Sequence, residues 1–374
     1  MTKNANALTP LSAYPLPSLK KNHSLLAANR NRYAHRCTAI ELFAGGGGFA
    51  LGLERAGIDC ALLTDADRFA CQTLRNNRPG WNVVEGDIRE MDFYAYRHRI
   101  DIVTGGFPCQ AFSVAGKQQG LNDPRGQLCY EFVRAIDEIQ PRLFVGENVR
   151  GLVSHDQGKT LQAICRALTA MGYDLLPPCV LKAIYYRVPQ KRERLFIVGV
   201  RRGSDLNYEF PVPQLPVMTL RDALKQGRLY DTDVPVSQGH RFSAEKQRII
   251  HHVTPGANWR SLSKALQKRY LKRAFYQPGS HSTYARRIAW DEPCLTLLCR
   301  PSETRMDRIH PDEPRPFTVR ECARIQTFPD DWVFSGSVTA QYRQIGNAVP
   351  VNLAAAIGES IIRCFQRGAG NTTR

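Results

Sequence analysis

The sequence predicts a doubly wound α/β fold, built on a mostly parallel sheet and carrying a smaller basic domain. Three observations predict it. Between Thr38 and about Arg202, short apolar runs alternate with longer amphipathic ones, the rhythm of strands covered by helices. After Arg202 that rhythm stops, and Pro211, Pro213 and Pro216 interrupt any long element. After about Pro316 order returns, so the last segment rejoins the first lobe. At 374 residues the chain is long enough for two lobes and a sizeable buried core.

The spacing of apolar residues places strands at Thr38–Phe43, Cys60–Thr64, Asn82–Val84, Ile100–Thr104, Leu143–Glu147 and Leu195–Val200. Helical periodicity falls between them, near Gly48–Ala56, Asp67–Asn77, Leu128–Ile139 and Thr160–Met171. Ala340–Cys364 reads as a strand or loop running into a closing helix. Four units follow: a flexible basic arm over 1–36, a first lobe over 37–203, a second over 204–316, and a return segment over 317–374. The arm holds six Lys or Arg and no acid, with Pro10, Pro15 and Pro17, and lacks the apolar core of a signal peptide. No apolar stretch approaches the roughly 20 residues needed to span a bilayer, which argues against a membrane role.

Charge narrows the partner. Fifty-one Lys and Arg against thirty-four Asp and Glu give a formal +17, as expected of a protein that meets a polyanion. Between Arg241 and Arg287 lie eleven Lys or Arg and one acid, Glu245, interleaved with Phe242, Trp259, Tyr270, Phe275, Tyr276 and Tyr284. Within it, Ser261–Phe275 reads as a helix with Lys264, Lys268 and Lys272 on one face and Arg260 just before it. A lone lysine stripe is more often a solvated face; the surrounding Arg and aromatic residues favour nucleic acid. The eleven cysteines are scattered, with no CxxC pair, which excludes a zinc signature and a disulfide framework and fits a reducing cytoplasm.

Four clusters carry chemistry. Glu41-Leu-Phe-Ala-Gly-Gly-Gly-Gly48 follows a strand and precedes a helix, where consecutive glycines let a ligand approach the backbone. Asp65, Asp67 and Asp87 stand after the next two strands, as acids that bind ribose hydroxyls do, which suggests an adenosine-containing cofactor. Gly105-Gly-Phe-Pro-Cys-Gln-Ala-Phe-Ser113 sets Cys109 just past a strand, ahead of a polar loop containing Lys117 and Arg125. Most cysteines are small buried hydrophobes, but this one lies at the sheet edge where a cofactor binds. Glu147-Asn148-Val149 brings a carboxylate to the same edge, and Gln190-Lys-Arg-Glu-Arg194 adds two cations.

Together these residues resemble the DNA cytosine-5 methyltransferase family of bacterial restriction-modification systems, over nearly all of Thr38–Cys364 outside the basic middle. Thr318-Val-Arg-Glu-Cys-Ala-Arg324 with Phe328-Pro329, and Gln344-Ile-Gly-Asn-Ala-Val-Pro350, resemble its last two motifs. The resemblance implies the class I S-adenosylmethionine-dependent methyltransferase fold, with catalysis and cofactor binding in 37–203 and target recognition in 204–316, Ser204–Trp290 above all. It implies that the Cys109 thiolate adds to C6 of a flipped cytosine while Glu147 protonates N3. Arg192 and Arg194 would hold the O2 edge of the base and support the thiolate. The cofactor would lie along Phe43, Gly45, Gly47, Asp65, Asp87, Ile88, Pro108, Leu128, Asn347 and Val349. Gln110, Ser113, Lys117 and Arg125, with Arg260, Lys264, Lys268 and Lys272, would meet double-stranded DNA. Where the family shows Asn-Glu and often a bulky residue, this chain has Thr64-Asp65-Ala66, so Asp65 must reach further to the ribose. The expected protein is a cytoplasmic, nucleoid-associated monomer, with a cognate restriction endonuclease as a functional rather than physical partner. Two rivals share the scaffold: a tRNA cytosine-5 methyltransferase and a catalytically silent DNA-binding protein.

Overall fold

The computed structural model describes residues 37–108, 128–277, 283–300 and 307–371. In chain order the elements are β1 (Thr38–Leu42), α1 (Gly48–Arg55), β2 (Asp59–Asp65), α2 (Arg68–Asn77), β3 (Val83–Glu85), β4 (Ile102–Gly105), α3 (Leu128–Ile139), β5 (Leu143–Val149) and α4 (Lys159–Ala170). There follow β6 (Tyr173–Leu175), β7 (Cys179–Lys182), β8 (Gln190–Lys191), β9 (Glu193–Arg201), α5 (Leu220–Leu224), α6 (Ala244–His251) and α7 (Lys264–Leu271). The chain closes with β10 (Arg286–Arg287), β11 (Cys294–Leu295), β12 (Arg308–Ile309), α8 (Val319–Ile325), α9 (Val338–Asn347) and α10 (Val351–Asn371).

Eight strands make the main sheet, in the order β3-β2-β1-β4-β5-β9-β6 with β7 also on β9. β3, β2, β1, β4 and β5 run parallel, while β9 is antiparallel to β5, β6 and β7. Because β1 lies between β2 and β4, the chain winds outward in both directions from it, leaving a crevice at the carboxyl ends of the strands.

Both faces of the sheet are covered, which is why its strands are apolar runs. Ile40, Leu42, Val103 and Phe144 pack with Phe132 and Ile136 of α3 and Ile164 and Leu168 of α4. The alternate residues Ala39, Ile102, Leu143 and Val145 pack with Phe49 and Leu53 of α1 and Leu353, Ile357 and Ile361 of α10. Each such side chain contributes about 1.5–3 kcal/mol on burial. A third cluster joins Leu74 of α2 to Trp332 and Tyr342, and the Trp332 indole donates to the Gly46 carbonyl at 3.1 Å. A separate small core, with Phe242, Ile249, Tyr270 and Ile309, is built by α6, α7 and their neighbours.

Three expectations change. The stretch read as strand or loop before the closing helix is itself helix α9, capped by Ser337, which accepts from the Ala340 amide at 3.3 Å; Ala348–Pro350 separates it from α10. This run, Val338–Gly368, is also long and apolar enough to cross a membrane by length and composition, yet 67% of its apolar window is buried in the protein. The helix expected over Ser261–Phe275 is shorter: Ser263 caps α7, and Lys272, at φ 51°, breaks the lysine stripe and opens a single 3₁₀ helix, Lys272–Tyr276, that finishes the segment. β6 and β7, three and four residues long, were not anticipated.

Candidate active site

At the crevice, a cavity of about 480 Å³ opens between the loops that follow β1, β2, β3 and β4, the end of β5, Arg194, and the link from α9 to α10. The loop after β1 takes an unusual path. Phe43 lies at φ 56° and Gly47 at φ 85°, left-handed conformations that cost a side-chain-bearing residue about 1–3 kcal/mol and glycine almost nothing. Gly48 meets a different constraint: a Cβ there would stand 2.3 Å from the Val349 carbonyl oxygen, so only glycine lets the loop touch the return segment. Asp65 locks the turn, accepting from the Gly45 amide through one carboxylate oxygen and from the Asp67 amide through the other, each at 2.8 Å.

Nine of the ten residues expected at the cofactor line this cavity: Phe43, Gly45, Asp65, Asp87, Ile88, Pro108, Leu128, Asn347 and Val349. Gly47 does not. Its α-carbon faces Leu74 and Trp332, and it acts as the left-handed N-cap of α1. Asp67 is a helix cap as well, accepting from the Phe69 and Ala70 amides at 2.8 and 3.3 Å, while its other oxygen pairs with Arg343. Asp87 is gripped by Arg89, whose guanidinium and backbone amide hold its carboxyl down at about 2.

One residue in the cavity was passed over by sequence reasoning. Glu41 is 2% exposed, and its Oε2 has no hydrogen-bond partner among the described residues. Its register partner on β4 is Thr104, whose hydroxyl is likewise unpartnered. Burial, and then the neighbouring Asp65, push the Glu41 carboxyl well above the usual range. A glutamate in the middle of the otherwise apolar Thr-Ala-Ile-Glu-Leu strand was the signal, since a buried acid without a partner is costly unless something meets it. Apolar walls at Phe43, Ile88 and Leu128, carboxylates at the rim and an unmet carboxyl in the floor suit a ligand with an aromatic base, hydroxyls and a cation.

Glu147 and Arg194 stand in the same cavity. The Arg194 Nε lies 2.8 Å from Oε1 of Glu147, with the two side chains 13% and 9% exposed. Burial pushes the Glu147 carboxyl up, and Arg194 and then Arg192 pull it only part of the way back. A Cβ on Gly106 would lie 2.9 Å from Glu147 Oε2, so the chain leading into Pro108 passes directly against this carboxylate. Asn148 fixes that passage, its amide donating to the Phe107 carbonyl at 3.2 Å.

Arg192 does not line this cavity. The sequence suggested that it and Arg194 act side by side, but Arg192 is 1% exposed and donates to the carbonyls of Gly346 and Ala348 at 2.9 and 3.0 Å. Its amide bonds back to the Gln190 carbonyl at 2.9 Å, a γ-turn centred on Lys191 just before it. It borders a second cavity, of about 510 Å³, which Arg194 also lines together with Arg150, Lys182, Lys191 and Thr296. Among the residues expected to meet DNA, Arg260, Lys264, Lys268 and Lys272 are exposed on the segment with the small separate core. Cys109, Gln110, Ser113, Lys117 and Arg125 lie outside the described residues.

With this geometry in hand, comparison with known proteins is decisive. A family model, C-5 cytosine-specific DNA methylase, matches residues 37–363. The type II methyltransferase M.Eco47II of Escherichia coli is 54% identical over 332 residues, spanning 88% of this chain and 80% of that protein. M.Sau96I of Staphylococcus aureus is 46% identical over 327 residues, 86% of this chain and 75% of its own. Among solved structures, a chain encoded within an E. coli prophage and described as a DNA modification methyltransferase superposes with a TM-score of 0.64 at 27% identity, over 88% of this chain and 99% of that one. Dnmt2 of Schizosaccharomyces pombe, at 17% identity and a TM-score of 0.55, shares the fold. A match that runs from β1 into α10 and takes in every wall of the cavity leaves one assignment: the chain belongs to the C-5 cytosine-specific DNA methylase family and is a DNA cytosine-5 methyltransferase of the type II restriction-modification kind.

Proposed function

We propose that Glu147 is the general acid of the reaction, that Arg194 orients it, and that Cys109 is the nucleophile. The observation that carries this reading is the buried Glu147–Arg194 pair in one cavity with Pro108, the residue before Cys109. Position 5 of cytosine is a poor nucleophile. Addition of the Cys109 sulfur to C6, with a proton delivered to N3, converts the ring to an enamine and makes C5 nucleophilic. A carboxyl raised above its usual range by burial takes up and delivers a proton more readily than an exposed glutamate, and the Arg194 guanidinium steadies the carboxylate left behind. Once C5 carries the methyl group, loss of its proton to a water molecule expels the sulfur as thiolate, and N3 returns its proton to Glu147, which restores the ring.

S-adenosylmethionine, when bound, supplies an electrophilic methyl group on a sulfonium. The chain would hold it with Phe43 and Ile88 against the base, Asp65 and Asp87 at the polar rim, Glu41 beneath the cation, and Asn347 and Val349 from the return segment. Arg192 serves from behind, holding the 346–348 carbonyls so that Asn347 and Val349 reach the cavity.

Residues 37–203 and 317–374 form the catalytic lobe in this reading, and 204–316 recognises the target. Arg260, Lys264, Lys268 and Lys272 grip phosphates, which makes affinity fall steeply with salt. The enzyme works as a monomer on double-stranded DNA in the cytoplasm, at the nucleoid, alongside a cognate endonuclease that it need not touch. A duplex carrying 5-fluorocytosine at the target tests the chemistry, because fluorine cannot leave as a proton. The expected result is a cofactor-dependent covalent adduct that Cys109→Ser abolishes; active enzyme that forms no adduct would overturn the covalent scheme.

A further inference from the structure

We infer that Arg134, on the outer side of α3, is a positioning residue for the adenosine end of the cofactor. The inference rests on the cofactor reading above. Asp87 and Ile88 line the cavity, but the segment that carries them belongs to no strand: β3 ends at Glu85, and Ile88–Glu90 is one 3₁₀ turn. Its backbone bonds are two, Glu90 N–H to the Asp87 carbonyl at 3.0 Å and Met91 N–H to the Ile88 carbonyl at 3.2 Å, beside the bonds of the Asp87 carboxylate to Arg89. An isolated turn of this kind is marginal in water.

Among the described residues, the hydrogen bonds that reach 87–93 from outside, apart from those of the adjoining Tyr94 and Tyr96 amides, come from α3. Arg134 donates through Nη2 to the Ile88 carbonyl at 2.7 Å and through Nη1 to the Met91 carbonyl at 3.0 Å. Glu138, one helical turn on, accepts from the Phe93 amide at 2.9 Å. The guanidinium is itself held at two points, Nε by Glu131 at 2.7 Å and Nη1 by Glu138 at 2.6 Å. A planar fork fixed this way presents two donors to two carbonyls at a set spacing, which an ammonium on a flexible stem cannot do. The Ile88 side chain is 5% exposed and touches the cavity, so the carbonyl Arg134 holds belongs to a residue that would face the ligand. Nothing in the alternation of strands and helices marks this residue; the helix pattern makes it one more cation beside two acids.

Because α3 leaves Arg134 partly exposed, at 32%, its replacement need not disturb the core. The test uses the full chain with Arg134→Met and Arg134→Lys, titrated with S-adenosylhomocysteine and with adenosine, alongside steady-state kinetics and amide hydrogen exchange. Arg134→Met is expected to weaken both ligands about tenfold, equivalent to about 1.4 kcal/mol. KM for the cofactor should rise by the same factor, with kcat at saturation within twofold, and faster exchange should be confined to Glu90, Met91 and Phe93. Arg134→Lys should recover part of the affinity by reaching one carbonyl. Unchanged affinity in Arg134→Met, a fall in kcat without a change in affinity, or faster exchange spread through the sheet would each overturn the inference. Wild-type protein that binds neither ligand would instead overturn the cofactor reading.

Discussion

Replacing Arg194 by glutamine isolates the physics of the site. In the native protein the guanidinium Nε and the Glu147 carboxylate are 2.8 Å apart and nearly out of water. Removing the cation leaves a buried carboxylate alone, which typically costs about 3–5 kcal/mol unless the group takes up a proton. Protonation sets the ceiling. Starting from an ordinary glutamate near 4.5, holding the proton costs about 4 kcal/mol at pH 7.5 but only about 1.4 kcal/mol at pH 5.5. The sign follows from linkage: a carboxyl whose folded pKa is raised binds more protons folded than unfolded, so stability falls as pH rises above 4.5 toward the raised value. Loss of Arg194 removes the main influence that pulls Glu147 back, so the variant should show that fall more steeply than the native protein. Urea unfolding followed by circular dichroism at pH 5.5 and 7.5 measures it. The expected deficit lies below the ceiling at both values and is at least about 1 kcal/mol larger at pH 7.5. Adding Glu147→Gln to the same variant should flatten the dependence. A deficit equal at the two pH values, or one untouched by the second substitution, would refute the electrostatic account of the pair.

Two further predictions concern the cavity. Glu41, whose carboxyl burial and then Asp65 push well above the usual range, should lose proton occupancy when a cation settles beside it. Titration with S-adenosylmethionine in buffers of different ionisation enthalpy should report a proton release that is absent in Glu41→Gln and smaller with S-adenosylhomocysteine, which lacks the sulfonium charge; equal heats in all buffers would rule this out. Gly48→Ala places a methyl 2.3 Å from the Val349 carbonyl oxygen and 3.0 Å from the Ala348 Cβ, an overpacking expected to cost about 1–3 kcal/mol and to weaken the cofactor. Thermal melting and ligand titration check both effects, and native values for the two would show that the return segment yields freely.

Much of this was legible in the sequence because it depends on local pattern. Apolar runs buried on both sides of a sheet look alike wherever they occur, and β1, β2, β4, β5 and β9 fall within two residues of their expected bounds. The cavity residues at or near the carboxyl ends of strands, such as Asp65, Pro108 and Glu147, were found by position along the chain. What escaped was set by contacts between distant segments. Gly47 and Gly48 are neighbours in one glycine run, yet one turns the backbone and the other makes room for Val349. Arg192 and Arg194 are two apart, which in a strand means the same face, yet only Arg194 lines the first cavity, while Arg192 turns to the carbonyls of Gly346 and Ala348. Lys272 falls off its stripe because a backbone dihedral, invisible to periodicity, ends the helix.

The same long-range contacts explain how a chain that leaves its sheet after β9 returns to complete the cavity in register. A buried polar hub joins four stretches distant in sequence. Gln190 donates to the Gln326 side chain at 2.8 Å and accepts from the Leu297 amide at 2.9 Å. Gln326 donates to the carbonyls of Ile345 and Ala348 at 2.6 and 3.1 Å, and Arg192 takes the carbonyls of Gly346 and Ala348. Such groups are costly to bury, and apolar residues of like volume would give as much stability or more. An apolar seam, however, can slide by a residue at small cost, whereas each of these bonds has one length and one direction. Slippage of α9 by one position would strand several buried donors at once, at about 1–3 kcal/mol each. The hub therefore fixes the carbonyls at 345–348, and through them the backbone that presents Asn347 and Val349 to a cavity whose other walls are formed more than 150 residues earlier in the chain.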